Sequence, residues 1–287
     1  MLHDISLAET AFLIVGLLAA GAVTGLLAGV FGVGGGAIIV PVLYELFRMQ
    51  GVPDAVRTPL AVGTSLAIII PTSIRSFRAH QRKGAVDLSV LRAWAVPVLV
   101  GVIAGSLVAR YAPAALFKGV FVAVAGISAI RLLFGRDTWR FGDDLPSGPL
   151  MKLYGVVIGV LSSLMGIGGG QLSNLFMTFY GRPIHQAVAT SSGLGVLISI
   201  PGAIGYVYAG WPKMADWLNL SPEAVLPPLS LGFVSVIGAL LVIPTSIWTA
   251  PFGVTLAHRL SKRRLEVAFG IFLVLVSLNF LRQLLSV

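Results

Sequence analysis

The runs Leu88–Ala109 and Ala114–Phe134 are each largely apolar over the roughly 20 residues that a helix needs to cross about 30 Å of hydrocarbon. Similar runs recur along the chain, at 7–31, 36–47, 59–74, 88–109, 114–134, 150–167, 171–180, 187–208, 225–248 and 265–285. The second and seventh are too short to span a bilayer alone. The stretch TAPFGVTLAH at 249–258 either lengthens the ninth run or forms a short helix of its own. Only 11% of the 287 residues are charged, against roughly a quarter in a soluble domain, so this chain cannot coat itself for water. The expected fold class is all-α and integral to a membrane: one multi-pass domain (1–287) in contact with a lipid bilayer.

Lysine and arginine lie between the apolar runs rather than on one face of a soluble fold, so the net charge of +9 does not point to nucleic acid. The segments RSFRAHQRKGAVDLSVLR, RLLFGRDTWRFGDDLPSGPLMK, GRPIHQ and RLSKRRL hold 14 of the 20 basic residues. If every segment reverses the chain, these four loops share one side, and Arg48, Arg57, Arg110, Lys118, Lys213 and Arg282 fall on the other. Cytoplasmic loops are enriched in such residues, which places the N- and C-termini outside. The start MLHDISLAET lacks the basic opening and cleavage pattern of a secretory signal, so the first run is expected to be a retained span.

Two internal copies organise the chain. GLLAGVFGVGGGAIIVPVL (25–43) aligns without a gap to GVLSSLMGIGGGQLSNLFM (159–177), and LAVGTSLAIIIP (60–71) resembles QAVATSSGLGVL (186–197). The expected layout is a first repeat over 1–134, a cytoplasmic linker over 135–149 and a second repeat over 150–287, with four to five helical segments in each half. Five segments, an odd number, would turn the second half upside down, the inverted plan of many secondary transporters. Short segments that re-enter would give an even number of crossings and a parallel repeat.

Three successive glycines at 34–36 and again at 168–170 each precede an undersized apolar segment. A mid-helix glycine costs about 1 kcal/mol relative to alanine, so each cluster is expected to end one helix. Broken backbone at membrane depth survives only inside protein or along a wet cavity. The short helix that follows presents unused N–H groups at the positive end of its dipole, which suits an anion. Small residues also serve close helix packing, and that alternative stays open. The fit of GVGGGA to a nucleotide loop is rejected, because the fingerprint needs a strand before it. The candidate ligands for an anion are Gly34, Gly35, Gly36, Gly168, Gly169 and Gly170, the hydroxyls of Thr64, Ser65, Thr190 and Ser191, and the amides of Gln171 and Asn174. Hydroxyls in membrane helices also bond back to backbone or bridge helices, and this alternative is equally open.

Glu45 is the one acid placed inside an apolar segment, and is a proton-coupling candidate unless it simply reaches the interface near Arg48. The absence of cysteine excludes disulfides and thiolate metal sites. The histidines show no metal spacing, and no paired carboxylates or nucleophile motif suggest an enzyme. No cofactor is expected, and self-association into a homo-oligomer stays open.

On GLLAGVFGVGGGAIIVPVL, RTPLAVGTSLAIIIPTSI, GVLSSLMGIGGGQLSNLFM, HQAVATSSGLG and the ending RLSKRRLEVAFGIFLVLVSLNFL, the chain resembles the TauE/SafE sulfite exporter family. The resemblance implies a permease of the bacterial plasma membrane that exports, or sometimes imports, sulfite, sulfoacetate or related organosulfur anions and carboxylates. The motif positions are Gly32, Gly34, Gly35, Gly36, Thr64 and Ser65, then Gly166, Gly168, Gly169, Gly170, Thr190 and Ser191. Ala37 stands where the second half has Gln171, so the two helix starts are chemically unequal. The membrane potential pushes anions outward, which makes uncoupled efflux the expected mode. A proton-coupled importer or a non-transport assembly factor are the alternatives.

Overall fold

The computed structural model describes residues 7–31, 36–135, 141–211, 225–259 and 261–285. Among them are ten helices: α1 (Leu7–Phe31), α2 (Gly36–Met49), α3 (Asp54–Arg82), α4 (Leu88–Tyr111), α5 (Ala114–Phe134), α6 (Pro149–Met165), α7 (Gly170–Phe179), α8 (Ile184–Gly210), α9 (Val236–Arg259) and α10 (Lys262–Leu285). The chain is an all-α membrane protein. Proline opens several helices, with Pro53 before α3, Pro113 before α5 and Pro183 before α8, where a missing N–H costs nothing.

The expected ninth segment requires correction. Residues 225–235 are apolar enough to read as membrane helix, but Pro227 and Pro228 cannot donate backbone hydrogen bonds. The chain instead forms a two-stranded antiparallel hairpin, β1 (Ser230–Leu231) and β2 (Val234–Ser235), and helix begins only at Val236. TAPFGVTLAH then continues α9 to Arg259. Helix α3 is longer than its apolar stretch, because charged turns at both ends carry it beyond the apolar zone.

Among the described residues six helices are long and apolar enough to cross a membrane: α3, α4, α5, α8, α9 and α10. Helices α1 and α2, and α6 and α7, form two helical hairpins. Gly16 of α1 faces Leu46 late in α2, so α2 runs back along α1. Tyr154 at the start of α6 packs on Phe176 (ring centroids 4.4 Å apart) and Tyr180 (6.4 Å) at the end of α7, so α7 likewise doubles back. At 1.5 Å per residue α2 is about 21 Å long and α7 about 15 Å, too short to span.

Helices α3 and α8 pack together at the centre, with Leu60, Leu66, Ile68, Ile69, Leu194 and Ile198 fully buried. Helix α1 lies on α9, where Gly21 and Gly25 let its backbone approach Val242 and Ser246. Helix α6 lies on α4, where Gly155 and Gly159 do the same against Trp94 and Val98, and Trp94 Nε1 donates to Met151 O at 2.9 Å. Outer faces carry exposed large apolar side chains, among them Val96, Ile103, Ile127, Leu240 and Leu275, which suits lipid contact.

Contacts sort the helix termini into two ends. Asp87, just before α4, meets Thr190 and Gln186 of α8; Arg263 of α10 donates to Leu132 and Leu133 carbonyls at the end of α5; and Arg182 lies 3.9 Å from Asp144. The four basic loops therefore gather at one end. At the other, Lys118 of α5 bridges to Asp54 of α3, and Glu45 of α2 meets Asn279 and Gln283 of α10. The α1–α2 hairpin starts at this second end and the α6–α7 hairpin at the basic end. Helices α3, α4 and α5 follow the first hairpin, and α8, α9 and α10 follow the second.

Candidate functional site

The tip of the second hairpin is built by two left-handed glycines. Helix α6 ends at Gly166 (φ +66°), and Ile167 N–H returns to Ser162 O at 3.1 Å, the carbonyl that also accepts the Gly166 N–H. Gly169 (φ +75°) reverses the chain again and α7 starts at Gly170. The first hydrogen bond of α7 runs from Ser173 N–H to Gly169 O at 3.0 Å, so the N–H groups of Gly170, Gln171 and Leu172 lie ahead of the helical ladder. The dipole of α7 makes this its positive end.

The two tips touch. A β-carbon on Gly36, the first residue of α2, would lie 2.5 Å from Gly166 O and 2.7 Å from Ile167 Cα. Gly32, Gly34 and Gly35 lie outside the described residues, as does Lys213. Gly168 sits against Ile69 of α3 and Gly195 of α8, so the central helices enclose the junction. Ser65 Oγ donates to Gly166 O at 2.7 Å across the two halves, and Tyr206 of α8 donates to Ser163 O at 2.9 Å just before the tip.

The polar side chains singled out from sequence divide sharply. Thr64 Oγ1 accepts the Ser235 N–H at 2.9 Å, and Thr190 Oγ1 accepts the Asp87 N–H at 2.9 Å. Each threonine therefore holds the residue that caps a helix start: the Ser235 hydroxyl accepts Gly238 N–H at the head of α9, and Asp87 Oδ1 accepts Ser89 and Val90 N–H at the head of α4. Ser191 lies within bonding reach of Asn174 Oδ1 and of Ala187 O (2.6 Å), and accepts from Ser173 Oγ at 2.7 Å. Gln171 differs from all of these. It is only 5% exposed, and neither its Nε2 nor its Oε1 has a hydrogen-bond partner among the described residues. Ser162 Oγ, beside Gly169, is also buried and has no partner among the described residues. Buried amides are almost always bonded, so an amide with no partner among the described residues, at a helix N-terminus, stands out as a candidate ligand group.

Glu45 pairs with Arg48 (3.2 Å) and receives Asn279 Nδ2 and Gln283 Nε2 at 3.3 and 3.4 Å, at the end of the molecule away from the basic loops. The sequence missed a polar cluster at that same end. Lys118, 4% exposed on α5, contacts both carboxylate oxygens of Asp54 at 3.0 Å, while Tyr44 donates to Asp54 at 2.7 Å and Arg57 to Tyr44 at 3.2 Å. The available signal was a lysine one turn inside the apolar run 114–134, which demands a partner. Among the described residues no three His, Asp or Glu side chains converge as metal ligands.

Asp87 yields a test of the loop that Thr190 holds. Burial works against its charge, but hydrogen bonds from Ser89 Oγ and from the Val90 and Ser89 N–H groups, with the Arg182 charge, outweigh it and hold the carboxyl below the ordinary range. A depressed folded pKa gives stability that is complete above the unfolded value of about 3.9 and is lost as pH falls through the folded one. Asp87→Ala is expected to lose about 1 kcal/mol at neutral pH, as for other N-caps, and Asp87→Asn, which keeps the cap and loses only the charge, less than that. Detergent-phase melting curves at pH 7 and pH 3.5 check both, with the asparagine variant losing less on acidification.

The sequence matches the protein-family model described as Sulfite exporter TauE/SafE over residues 17–280. A relative from Haemophilus influenzae, described as a "probable membrane transporter protein", is 31% identical over 266 residues, covering 91% of this chain and 96% of its own length. A second, from Methanocaldococcus jannaschii and described in the same words, is 28% identical over 258 residues, covering 88% and 89%. A third, from Bacillus subtilis and described likewise, is 28% identical over 228 residues, covering 72% and 83%. No solved structure matches.

Proposed function

Since the chain belongs to the sulfite exporter TauE/SafE family and is a multi-pass membrane transporter, we propose that it carries small oxyanions such as sulfite, sulfoacetate or simple carboxylates between its two hairpin tips. The observation that carries this reading is the bare Gln171 amide beside the open N–H groups of Gly170–Leu172. An oxyanion offers several acceptors at once: one oxygen toward the first turn of α7, another toward Gln171 Nε2, with Ser162 Oγ within the same junction. Ser65 occupies the Gly166 carbonyl, which would otherwise repel an anion at the tip. Neutral donors hold the guest without the tight grip of a buried arginine, which favours release.

In this reading the end that gathers the basic loops faces the cytoplasm of a bacterium, both termini face outward, and the hairpins belong to inverted repeats over 1–134 and 150–287. The repeated threonines hold the helix caps, and the site is one-sided because Ala37 replaces Gln171 in the first half. An inside-negative potential of 100 mV drives a monovalent anion outward by about 2.3 kcal/mol, equivalent to roughly a 50-fold gradient, so no coupling ion is required. Glu45, engaged with Arg48, Asn279 and Gln283, is left at the interface.

Proteoliposomes loaded with sulfite test the mechanism. Efflux should accelerate with an imposed potential, positive on the side to which the anion moves, and should ignore a proton gradient. Efflux that follows the proton gradient alone would instead favour coupled transport through Glu45.

A further inference from the structure

The cluster around Asp54 has a composition that a structural ion pair does not need. Its donors are two cations and a phenol against a single carboxylate. Lys118 and Tyr44 are almost fully buried and the Arg57 side chain is 14% exposed, whereas the Asp54 side chain is 45% exposed. The donors are also fixed without the carboxylate. Arg57 Nε and Nη2 donate to Val52 O at 2.9 and 2.7 Å, its guanidinium lies over the Tyr44 ring at 5.1 Å, and Lys118 Nζ lies 5.4 Å from the same ring centroid. Asp54 is thus a carboxylate resting on a prebuilt cage, with both oxygens on Lys118 and one also on Tyr44. Tyr44 sits about 12 Å along α2 from the tip residue Gly36, between the junction and the end of the protein where α3 starts.

We propose that Lys118, Tyr44 and Arg57 form a second oxyanion site, occupied in this conformation by Asp54 as a tethered carboxylate that a substrate oxyanion displaces on its way out of the molecule. The inference rests on the anion-permease reading for its role in transport, but the cage's affinity for oxyanions stands apart from flux. The exposed carboxylate can rotate into water while the buried donors stay in place. The surplus positive charge then receives an anion, and the return of Asp54 expels it.

Chemical rescue separates the two claims. Asp54→Ala empties the cage and is expected to lower the melting temperature in detergent. Adding 100 mM acetate or sulfite should raise it by about 5 °C, the scale of filling a site well above its dissociation constant. Acetamide and chloride should give no such rise, and wild type, whose cage Asp54 already fills, should rise by clearly less than the variant. Asp54→Asn, which keeps the volume and loses the charge, provides the same readout should the alanine variant not fold. The Lys118→Met change in either background should abolish the rescue. A purely structural clamp predicts destabilisation with no oxyanion-specific recovery, and rescue that survives Lys118→Met or is matched by chloride overturns the site. Neither result bears on whether changes at Gln171 alter flux, so failure of this cage and failure of the tip site are told apart.

Discussion

Gly36→Ala is expected to reduce anion flux to less than a tenth of wild type while the protein still inserts. The added methyl would sit 2.5 Å from Gly166 O and 2.7 Å from Ile167 Cα, and these are backbone atoms of the opposite tip that cannot turn aside. Overpacking of this kind typically costs 1–3 kcal/mol, and here the strain falls on the contact between the two hairpins. Gly169→Ala should be milder. Its left-handed backbone (φ +75°) costs an alanine roughly 1–2 kcal/mol, but its nearest neighbour is Ile198 Cδ1 at 2.3 Å, the end of a movable side chain. Adding Ile198→Val, which removes that atom, should recover part of the loss. Gly119→Ala, with nothing within 4 Å, is the control and should transport normally. Sulfite flux per inserted protein measures all four. Equal flux from the Gly36 and Gly119 variants would mean that the touching tips have no part in transport.

The second large effect is a pair of opposite signs at Gln171. A buried amide without partners costs a protein about 1–3 kcal/mol, so Gln171→Met, of similar length and apolar, should make the protein more stable by an amount in that range. The same change removes the side-chain donor offered to the oxyanion, and flux should fall at least tenfold. Gln171→Glu should abolish flux as well, since a carboxylate at the head of α7 satisfies the helix dipole and repels an anion. Melting temperature and flux measured on the same preparations decide the matter. Lower stability together with lower flux would mark Gln171 as a packing residue.

Much of the architecture is legible in the sequence, because bilayer thickness converts directly into run length. The bounds of α1 and α5 coincide with their apolar runs, and the two undersized segments are the two short helices. Direction is a different matter. Length shows that α2 and α7 cannot span, but only the contacts Gly16 with Leu46 and Tyr154 with Phe176 reveal that each folds back on its predecessor. The start of α9 was hidden because Leu226–Val234 is as apolar as a helix while its prolines deny it one.

The candidate site divides in the same way. Thr64 and Thr190 are recognisable as a repeated pair, yet they act as acceptors for the backbone of Ser235 and Asp87, partners 171 and 103 residues away that no local pattern names. Asn174 and Gln171 look equivalent on the helical wheel of α7. Packing against α8 commits the first to Ser191 and leaves the second without a partner among the described residues. Loop position alone puts Lys118 among the outer basic residues, although its place inside an apolar run requires the carboxylate that Asp54 supplies from another helix.

The chain contains no cysteine, so Gln171→Cys places a single thiol at the head of α7. The decisive measurement is the rate at which a small water-borne anionic thiosulfonate labels that thiol in membranes, with and without sulfoacetate, an oxyanion inert to the reagent. Labelling from water, slowed about tenfold or more by sulfoacetate but not by taurine, is the predicted result. A thiol that never reacts, or that reacts at one rate whatever anion is present, would contradict an oxyanion site at the meeting point of the hairpins.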